Sequence, residues 1–414
     1  MTAPQDTAPT TAAEAGTGNR ARATLGTCGA AHFLHDGFSD VLYVLLPLWA
    51  QEFGLSLTQV GLLKSLYMGA LSLFQIPSGL FAERWGERVL LAAGTAVAGL
   101  GFVFLGMSGG FAGLIAVLLF IGSASATQHP LSSTLVARAY EGGRRRAALG
   151  IYNFTGDLGK VAMPALIALG VAAIGWRGSA MAFGVFGMLG AVGIFLALRR
   201  LGAGAAPAAE PGKSPRAARE GGWGIHDRRG FQVLSAITVV DFSTRTAFLT
   251  LLPFLLIGKG AAAENVGFAL ALVFAGGAAG KFLCGLLAER FGIIRTVVLT
   301  ELVTGAGILA LLALPLNAAL AFLPVVGLAL NGTSSVLYGT VAEFVVPERQ
   351  PRAFGLFYTI GTGAGAAGPL VYGLLGDLTS VPVALATVGV VVLTTIPLSR
   401  LLAPSVAGGG RERA

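Results

Sequence analysis

Ten ionisable residues lie within long apolar stretches of the chain, and their types and spacing are the ones that could do chemistry. A charge at the centre of a membrane helix costs about 2.5 to 3.5 kcal/mol, so a function is the default explanation for it. The ten residues are Asp36, Asp40, Lys64, Asp157, Lys160, Asp241, Arg245, Lys281, Glu301 and Glu343. The sequence has no Gly-x4-Gly-Lys-Ser/Thr loop and no His/Cys cluster, so it indicates neither ATP hydrolysis nor a metal site.

Asp36 and Asp40 are four residues apart, which places them on one helix face with Tyr43 and Pro47. Two carboxylates in a medium of low dielectric repel each other, so one of them should hold a proton more readily than an isolated acid. This spacing suits a proton carrier. The alternative is that one of the two pairs with a basic residue of another helix. We expect His35 to lie on a polar rim.

Asp241 and Arg245 repeat the four-residue spacing with opposite charges. They could form an ion pair within one helix. Alternatively, Arg245 faces a central cavity and exchanges partners among Asp241, Asp36 or Asp40 and a substrate, because a guanidinium binds phosphonate or carboxylate oxygens in a bidentate manner. Asp241 therefore joins Asp36 and Asp40 as a candidate proton site.

The remaining intramembrane charges have weaker patterns. Asp157 and Lys160 are three residues apart and could form a structural pair or act in transport. Lys281 is a candidate anion ligand or gating charge, and Lys64 is predicted near a helix end, from which its ammonium reaches the interface. For the last two acids we expect interfacial ion pairs, Glu301 with Arg295 and Glu343 with Arg349.

Several uncharged or weakly basic polar residues occur in stretches that could line a cavity. Each could bind a substrate or form a hydrogen bond between helices. They are Tyr43, Gln128, His129, Asn153, Asn331, Tyr338 and Tyr358.

Composition identifies the kind of protein that must position these residues. Hydrophobic residues make up 54% of the chain and charged residues 12%, whereas about a quarter of the residues of a soluble domain are charged. The sequence therefore predicts an all-α integral membrane protein. Twelve apolar runs are long enough to cross a bilayer. They lie near residues 24–50, 58–82, 88–107, 110–137, 147–173, 178–198, 230–257, 264–288, 293–314, 318–345, 353–376 and 381–402.

A charged turn occurs twice and indicates an internal duplication. The segment 78–88 returns as 284–292, and Glu83 and Glu289 are 206 positions apart. Asp36 and Asp241, like Pro164 and Pro369, are 205 apart. Two homologous halves of six helices each are the simplest explanation.

The division that follows is a disordered N-terminal tail (1–22), a first bundle (23–198), a linker (199–229), a second bundle (230–402) and a C-terminal tail (403–414). The linker is interpreted as a solvated tether, with a surface-lying helix as the alternative. Basic residues concentrate in the tails, the linker and the charged turns, so we expect both termini in the cytoplasm. The net charge of +8 reports this topology and not nucleic-acid binding. Cys28 and Cys284 lie in apolar runs and are interpreted as inert.

The charged turn after the second helix of each half resembles the signature of the major facilitator superfamily. The resemblance implies twelve transmembrane helices in two pseudo-symmetric six-helix bundles, working by alternating access. It also implies that the turns act as a gating latch. The gating residues that it names are Gly79, Glu83, Arg84, Gly86, Arg88, Glu289 and Arg290.

Within that superfamily the chain is most similar to the fosmidomycin-resistance efflux family. The segments that carry the similarity include 31–36, 52–56, the His129-Pro130-x-Ser132-Ser133 pattern, 355–357 and 374–377. The resemblance implies a proton-coupled antiporter, not an enzyme, that exports a small anionic or zwitterionic compound such as an antimicrobial phosphonate. We expect it to be a monomer in the bacterial inner membrane, with protons, lipid and a small molecule as partners and no cofactor. Two alternatives stay open: uptake of an organic anion, and a transport-inactive sensor or assembly protein.

Overall fold

The computed structural model describes residues 11–140, 142–206, 222–346 and 350–409, and within these ranges the chain is almost entirely helical. Thirteen α-helices are numbered in chain order. They are α1 (Thr11–Phe53), α2 (Leu57–Trp85), α3 (Glu87–Gly106), α4 (Phe111–Ser125), α5 (Gln128–Ala139), α6 (Gly142–Arg200), α7 (Arg228–Gly258), α8 (Val266–Phe291), α9 (Ile293–Ala313), α10 (Leu316–Thr340), α11 (Gln350–Leu378), α12 (Val381–Leu393) and α13 (Thr395–Gly409).

These helices make twelve membrane crossings. In the described part of the chain, nine helical stretches are long and apolar enough to span a bilayer. One of them supplies two crossings, because α6 would be roughly 90 Å long if straight, about three times the thickness of a bilayer core. Gly175 interrupts it with a φ of 72°, a conformation that favours glycine. The polar helix α1 and the glycine-rich α11 complete the twelve.

Two of these twelve crossings are each built from two helices. Helices α4 and α5 meet at a turn over residues 126–127, and α12 and α13 meet at Thr394. The six crossings of α1–α6 form the first bundle, and those of α7–α13 form the second. An even number of crossings in each bundle brings both termini, the linker and the charged turns to one end of the molecule. We call this the terminal end and the opposite one the far end.

The two bundles touch closely in the half of the molecule nearer the far end, at two related crossings. A Cβ atom added to Gly61 of α2 would lie 2.1 Å from the carbonyl oxygen of Pro369 of α11. A Cβ atom added to Gly267 of α8 would lie equally close to the carbonyl oxygen of Pro164 of α6. The duplication relates the two contacts, because Gly61 and Gly267 are 206 positions apart. Glycine at both positions lets the helix backbones meet directly.

Both ends of the linker are attached to the bundles. At its start the amide of Arg88 donates to the carbonyl oxygen of Gly204. At its end an isolated antiparallel bridge joins Ile225 to Val345. The predicted tether or surface helix falls mainly on residues 207–221, which lie outside the described residues.

The tail boundaries predicted from the sequence differ from the observed helices. Helix α1 begins at Thr11, so residues 11–22 are helical and do not form the disordered tail that was predicted. This segment is rich in alanine, the strongest helix former, and continues into an apolar helix. Helix α13 runs to Gly409, beyond the predicted end of the second bundle.

Candidate functional site

Asp36 is the centre of a buried cluster in the first bundle. Its carboxylate lies 3.2 Å from Nε2 of His32, 3.5 Å from Nε2 of His129 and 3.2 Å from Nζ of Lys160. Only 7% of Asp36 is exposed, whereas about a third of the side chains of His129 and Lys160 is exposed. The cluster joins α1, α5 and α6. Asp36 therefore pairs with a basic residue of another helix, which was the alternative to its role as a proton carrier. The same arrangement can also hold a proton.

The partners of His32 fix its hydrogen-bonding roles. Its Nδ1 lies 2.8 Å from the backbone carbonyl oxygen of Tyr152, which can only accept, so Nδ1 carries a hydrogen. The ring also stacks on Tyr152 with centroids 4.2 Å apart. Nε2 of His32 then faces the Asp36 carboxylate, and two acceptors would meet there unless a second proton sits on His32 or on Asp36. The geometry thus creates a place for one exchangeable proton.

A second ion pair crosses between the two bundles. Nζ of Lys281 on α8 lies 2.5 Å from Oδ1 of Asp157 on α6. The predicted pair of Asp157 with Lys160 within α6 is long, at 3.9 Å. Lys160 instead lies closer to Asp36. Two lysines from different bundles, each about one-third exposed, therefore lie side by side with two buried aspartates behind them.

Lys64 is buried and does not reach the membrane interface, contrary to the prediction. Its Nζ donates to the backbone carbonyl oxygen of Ser39 at 3.0 Å and lies 3.8 Å from the centre of the Tyr43 ring. Helix α2 turns this side chain toward α1, where backbone and aromatic groups stabilise the ammonium. Asp40 on the neighbouring turn is half-buried, and its charge interacts with those of Lys64 and Lys160.

Arg245 is half-buried and its guanidinium stacks over Phe242, 4.2 Å from the ring centre. Among the described residues, no ion pair within 4.0 Å joins it to Asp241, so the predicted pair within α7 is not formed. The charge of Arg245 interacts with Asp40 of the first bundle as well as with Asp241. A guanidinium without a carboxylate at hydrogen-bonding distance can bind an anion.

Glu301 was predicted at a span end, paired with Arg295, and this is wrong. Only 1% of the residue is exposed, and hydroxyl groups of Thr333 and Thr395 lie within hydrogen-bonding reach of it. Helix α9 begins at Ile293, so Glu301 lies two turns inside the helix and faces the interior of the second bundle. Its charge interacts with that of Asp241.

The uncharged candidates divide into two groups. Tyr338 and Tyr358 pack together with ring centres 6.0 Å apart, and Tyr358 lies within hydrogen-bonding reach of Gln75 on α2, across the two bundles. The other candidates are less suited to a ligand. Nε2 of Gln128 donates to the hydroxyl of Tyr152 within the first bundle, and Asn331 donates to the Gly327 carbonyl of its own helix.

Asn153 is exposed on α6 and stays a prediction. The hydroxyl groups of Ser39 and Tyr67 are 2.5 Å apart next to Lys64 and add hydrogen-bonding groups that the sequence patterns did not indicate.

The charged turns at the terminal end are open. A Cβ atom added to Gly79 or Gly285 would meet no atom of another described element within 4 Å, and Glu83 and Glu289 are exposed. Arg84 and Arg290 lie over the aromatic rings of the residues that follow them, so the predicted latch is not engaged in this structure.

Gly86 ends α2 with a φ of 80°, and residues 204–206 of the linker pack against it. Beside it, Glu87 pairs with Arg138 at 2.5 Å, which ties α3 to α5 at the terminal end.

At the far end the two bundles are joined by a carboxylate that caps a helix. Both oxygens of Asp377, at the end of α11, accept from the first turn of α2: the amides of Leu57 and Thr58 at 2.8 Å and the Thr58 hydroxyl at 2.5 Å. Burial opposes ionisation of Asp377, but the hydrogen bonds from Thr58, Ser56 and Leu57 outweigh it and lower its pKa. This contact joins the two bundles at the far end, whereas Glu83 and Glu289 of the charged turns are exposed at the terminal end.

A second far-end cluster stabilises the first bundle. Glu52 at the end of α1 accepts from the indole of Trp176 at 2.5 Å and from the guanidinium of Arg177. Burial opposes ionisation of Glu52, but these two hydrogen bonds outweigh it and lower its pKa. Arg177 also donates to the carbonyl oxygen of Ser108 at 3.0 Å.

One group of side chains has the composition of a metal site. Ligand atoms of His32, Asp36 and His129 all lie within 4.8 Å of one another. However, the ammonium of Lys160 lies 3.2 Å from the same carboxylate and would repel a cation. The residues present therefore fit a proton better than a metal ion.

Sequence reasoning did not assign His32 or Asp377 to these sites, and it expected Glu301 at a helix end. His32 stands four residues before Asp36, and this spacing could have indicated it. Glu301 could have been found as the acid closest to the middle of its apolar run. No local signal marks Asp377, because its partners lie about 320 residues away.

Comparisons with known proteins agree with this architecture. The profile described as Major Facilitator Superfamily matches residues 28–256 and 234–412. The chain is 25% identical over 386 residues to the fosmidomycin resistance protein of Escherichia coli (strain K12), covering 87% of this chain and 89% of that protein. It is 28% identical over 149 residues to a probable L-galactonate transporter of the same strain, covering 36% and 33%.

The fold is also similar to the crystal structure of a POT family transporter in complex with 5-aminolevulinic acid. The TM-score is 0.78, with 14% identity, over 92% of this chain and 96% of that one. The profile, the fosmidomycin resistance protein and the POT family structure each match both halves of the chain, whereas the match to the probable L-galactonate transporter covers 36% of it.

Proposed function

The chain belongs to the Major Facilitator Superfamily, close to the fosmidomycin-resistance family, and we propose that it is a proton-coupled antiporter that exports a small anionic or zwitterionic compound. A phosphonate is the substrate class we favour. We place the protein as a monomer in the bacterial inner membrane with both termini in the cytoplasm. The terminal end is then the cytoplasmic side.

The observation that carries the proposal is the arrangement around Asp36. The Nδ1 atom of His32 donates to a backbone carbonyl, so Nε2 and the Asp36 carboxylate need one further proton between them. This proton lies beside Lys160, a side chain that reaches the cavity. A change in protonation at Asp36 therefore alters the strength with which the carboxylate holds the lysine, and so couples the proton to the anion site.

The anion would bind between the two bundles. The ammonium groups of Lys160 and Lys281 and the guanidinium of Arg245 supply cationic partners for phosphonate or carboxylate oxygens. One lysine comes from each bundle, so a bound anion bridges both and favours a rearrangement of one bundle against the other. Tyr338, Tyr358, His129 and Asn153 are the proposed polar contacts around it.

Antiport requires that substrate and proton compete for one group, and Asp40 is the proposed place. It is half-buried, next to Tyr43, and in the described part of the chain it has no ion pair within 4.0 Å. Ionised Asp40 can accept a hydrogen bond from a hydroxyl or ammonium group of the substrate. Protonated Asp40 accepts such a hydrogen bond much more weakly, so a proton that enters from the far end favours release of the substrate there.

A second candidate function, uptake of an organic anion together with protons, is favoured by one specific observation. Both lysines are engaged by Asp36 and Asp157, so an anion that takes the lysines leaves two carboxylates unpaired in low dielectric. Their protonation then becomes more favourable, which links anion binding to proton uptake. The partial similarity to a probable L-galactonate transporter is consistent with such a substrate.

The sign of the proton movement separates the two functions. Fosmidomycin is added to purified protein in weak buffer with the indicator pyranine. We expect proton release on binding if Asp40 is the site of competition, and proton uptake supports the second function.

In proteoliposomes an antiporter accumulates fosmidomycin when the lumen is acidic, because protons leave as the substrate enters. A symporter accumulates it when the lumen is alkaline, because protons and substrate enter together. Asp36→Asn should abolish either accumulation, while Glu264→Gln, a change at an exposed loop acid, should not. Normal accumulation by Asp36→Asn would contradict the proposal. Cellular activity that is indifferent to Asp36→Asn, with no flux in vesicles, would support a transport-inactive sensor.

A further inference from the structure

We propose that Asp241 and Glu301 form a second proton site, buried in the second bundle, in which two carboxyl groups share one proton that is loaded and released during transport. This inference rests on the proposed function, because it assumes that proton movement drives transport. It assigns a role to Glu301, which lies outside the central cavity cluster.

The surroundings of the two acids do not suit two negative charges. Exposure is 3% for Asp241 and 1% for Glu301, and one oxygen of each, Oδ2 and Oε1, is buried without a hydrogen-bond partner. Neither acid has a cation within 4.0 Å in the parts of the chain that the structure describes. Two ionised carboxylates that repel in low dielectric are costly, whereas one proton between them removes a charge and supplies a donor.

Hydroxyl groups line the space around the pair. Those of Thr333 on α10 and Thr395 on α13, both fully buried, lie within hydrogen-bonding reach of Glu301. One turn from each acid, on the same helix faces, the hydroxyl oxygens of Thr238 and Thr304 are also buried and unpartnered. Four polar atoms without protein partners thus cluster inside an apolar bundle, an arrangement that fits a bound proton with water more than structural packing.

The pair is connected electrostatically to the cavity. Arg245 follows Asp241 by one helical turn, and its charge interacts with both carboxyl groups. The phenol of Tyr338 on α10 also interacts with the charge of Asp241. An anion that binds Arg245 cancels part of its positive field, so the pair then retains its proton more firmly. Loss of the anion has the opposite effect and favours proton release, so this pair couples proton and anion in the direction of the second candidate function, while Asp40 remains the site of competition proposed for antiport.

The duplication shows what is special about the second bundle. Thr95 on α3 precedes Glu301 by 206 positions, the offset that relates the two charged turns. In the first bundle Thr95 bonds to Nε2 of His35 on α1 at 2.8 Å, so a polar contact links the first and third helices there. In the second bundle two acids whose charges interact lie on the first and third helices, a combination that one proton would stabilise.

The first test measures protonation directly. Infrared absorbance of protonated carboxylic acids is recorded at neutral pH for wild-type protein in lipid nanodiscs and for the double variant Asp241→Asn, Glu301→Gln. We expect the double variant to lose the absorbance of one carboxylic acid. The control Glu264→Gln alters an exposed acid and should lose none. An unchanged band in the double variant would overturn the shared proton.

The second test asks whether that proton moves during transport. Fosmidomycin is measured in proteoliposomes as accumulation driven by a pH gradient and as exchange at equal pH. We expect Glu301→Gln to lose at least tenfold in accumulation and to keep exchange within about twofold, because neutral Gln preserves the folded site but carries no exchangeable proton.

Two further variants keep the test independent of folding. Glu301→Asp should restore part of the accumulation, whereas Thr304→Val should lower it without lowering the melting temperature. Loss of exchange by Glu301→Gln in step with its melting temperature would indicate a structural role and overturn the proposal.

The outcomes also separate this inference from the proposed function. Proton-driven accumulation in the wild type that persists in Glu301→Gln would refute the second proton site alone. If the wild type accumulates nothing with a gradient of either direction, proton coupling itself fails, and the infrared result then decides only whether the two acids share a proton.

Discussion

The contact of Asp377 with the start of α2 should control how often the far end of the protein opens. The carboxylate accepts from two backbone amides and one hydroxyl of the other bundle. This contact is lost in every conformation in which the two bundles separate at the far end. Asp377→Ala therefore destabilises the closed far end without a direct effect on either bundle.

The size of the effect follows from the kind of contact. A side chain that caps a helix contributes about 0.5 to 2 kcal/mol, and a negative charge near a helix N-terminus adds about 0.3 to 1 kcal/mol. Asp377 is exposed, so solvent screening places the sum near the lower limit, about 1 kcal/mol. At about 1.4 kcal/mol per factor of ten, the ratio of open to closed molecules should rise about fivefold.

The assay is a distance distribution across the far end. Spin labels at Gln51 and Asn317, both exposed and on different bundles, are introduced after replacement of Cys28 and Cys284 by alanine. Double electron–electron resonance should show a larger fraction of long distances in Asp377→Ala than in the parent.

Two controls keep the interpretation specific. Within the described ranges the hydroxyl of Thr379, just after α11, donates only to the carbonyl oxygen of Leu375, so Thr379→Ala should leave the distribution unchanged. Asp227 caps its own helix through the amide of Gly230 at 2.9 Å, so Asp227→Ala should lower the melting temperature without opening the far end. A ratio that changes by less than twofold in Asp377→Ala, or equally in Asp227→Ala, would refute the reasoning.

Three further predictions concern the same closed end. The pKa of Asp377 is lowered, so the hydrogen bonds that its carboxylate accepts are fully formed at pH values above the ordinary pKa of an aspartate and are lost as pH falls through the lowered pKa. The fraction of long distances should therefore rise only at such acidic pH. In Asp377→Asn it should not change with pH. Gly61→Ala places a Cβ 2.1 Å from the carbonyl oxygen of Pro369 and should reduce fosmidomycin exchange at least tenfold, whereas Gly69→Ala, with nothing within 4 Å, should not. Arg177→Gln removes a guanidinium that joins α1 and α6 to the turn before α4. The free energy of unfolding, measured by denaturant titration, should fall by about 1 kcal/mol. An unchanged free energy of unfolding would mean that this exposed cluster does not contribute to stability.

The architecture was accessible from the sequence because it depends on properties that local composition records. Apolar runs of sufficient length predict crossings, and a repeated turn at a constant offset predicts two halves. The breaks were less accessible. The gap predicted at residues 174–177 contains the kink at Gly175, whose φ of 72° separates the fifth and sixth crossings, but no pattern marked the turn at residues 126–127 that divides α4 from α5.

The site was accessible in part. Acids and bases in apolar runs were correctly identified as candidates, and Asp36, Lys160 and Lys281 come together as a cluster. Their partners were predicted by spacing within a helix, and here the structure differs: Asp157 pairs with Lys281 across the bundles more closely than with Lys160 on its own helix. Spacing along one helix cannot show which neighbouring helix presents a better partner.

Depth in the membrane was the other weak point. Lys64 and Glu301 were both predicted near helix ends, yet both are buried. Helix ends in lipid are uncertain by several residues, and one helical turn changes whether a side chain reaches water. The rotation of the helix decides the rest, because α2 turns Lys64 toward Ser39 and α9 turns Glu301 toward the interior of its bundle.

The two glycine–proline crossings define where the molecule can pivot. Gly61 against Pro369 and Gly267 against Pro164 are equivalent by the duplication and lie on opposite sides of the interface. A line through them is a rotation axis on which atoms move least. Displacement grows with the lever arm from that line, so Trp85 and Phe291, at the terminal ends of α2 and α8, should travel farthest when the protein changes state.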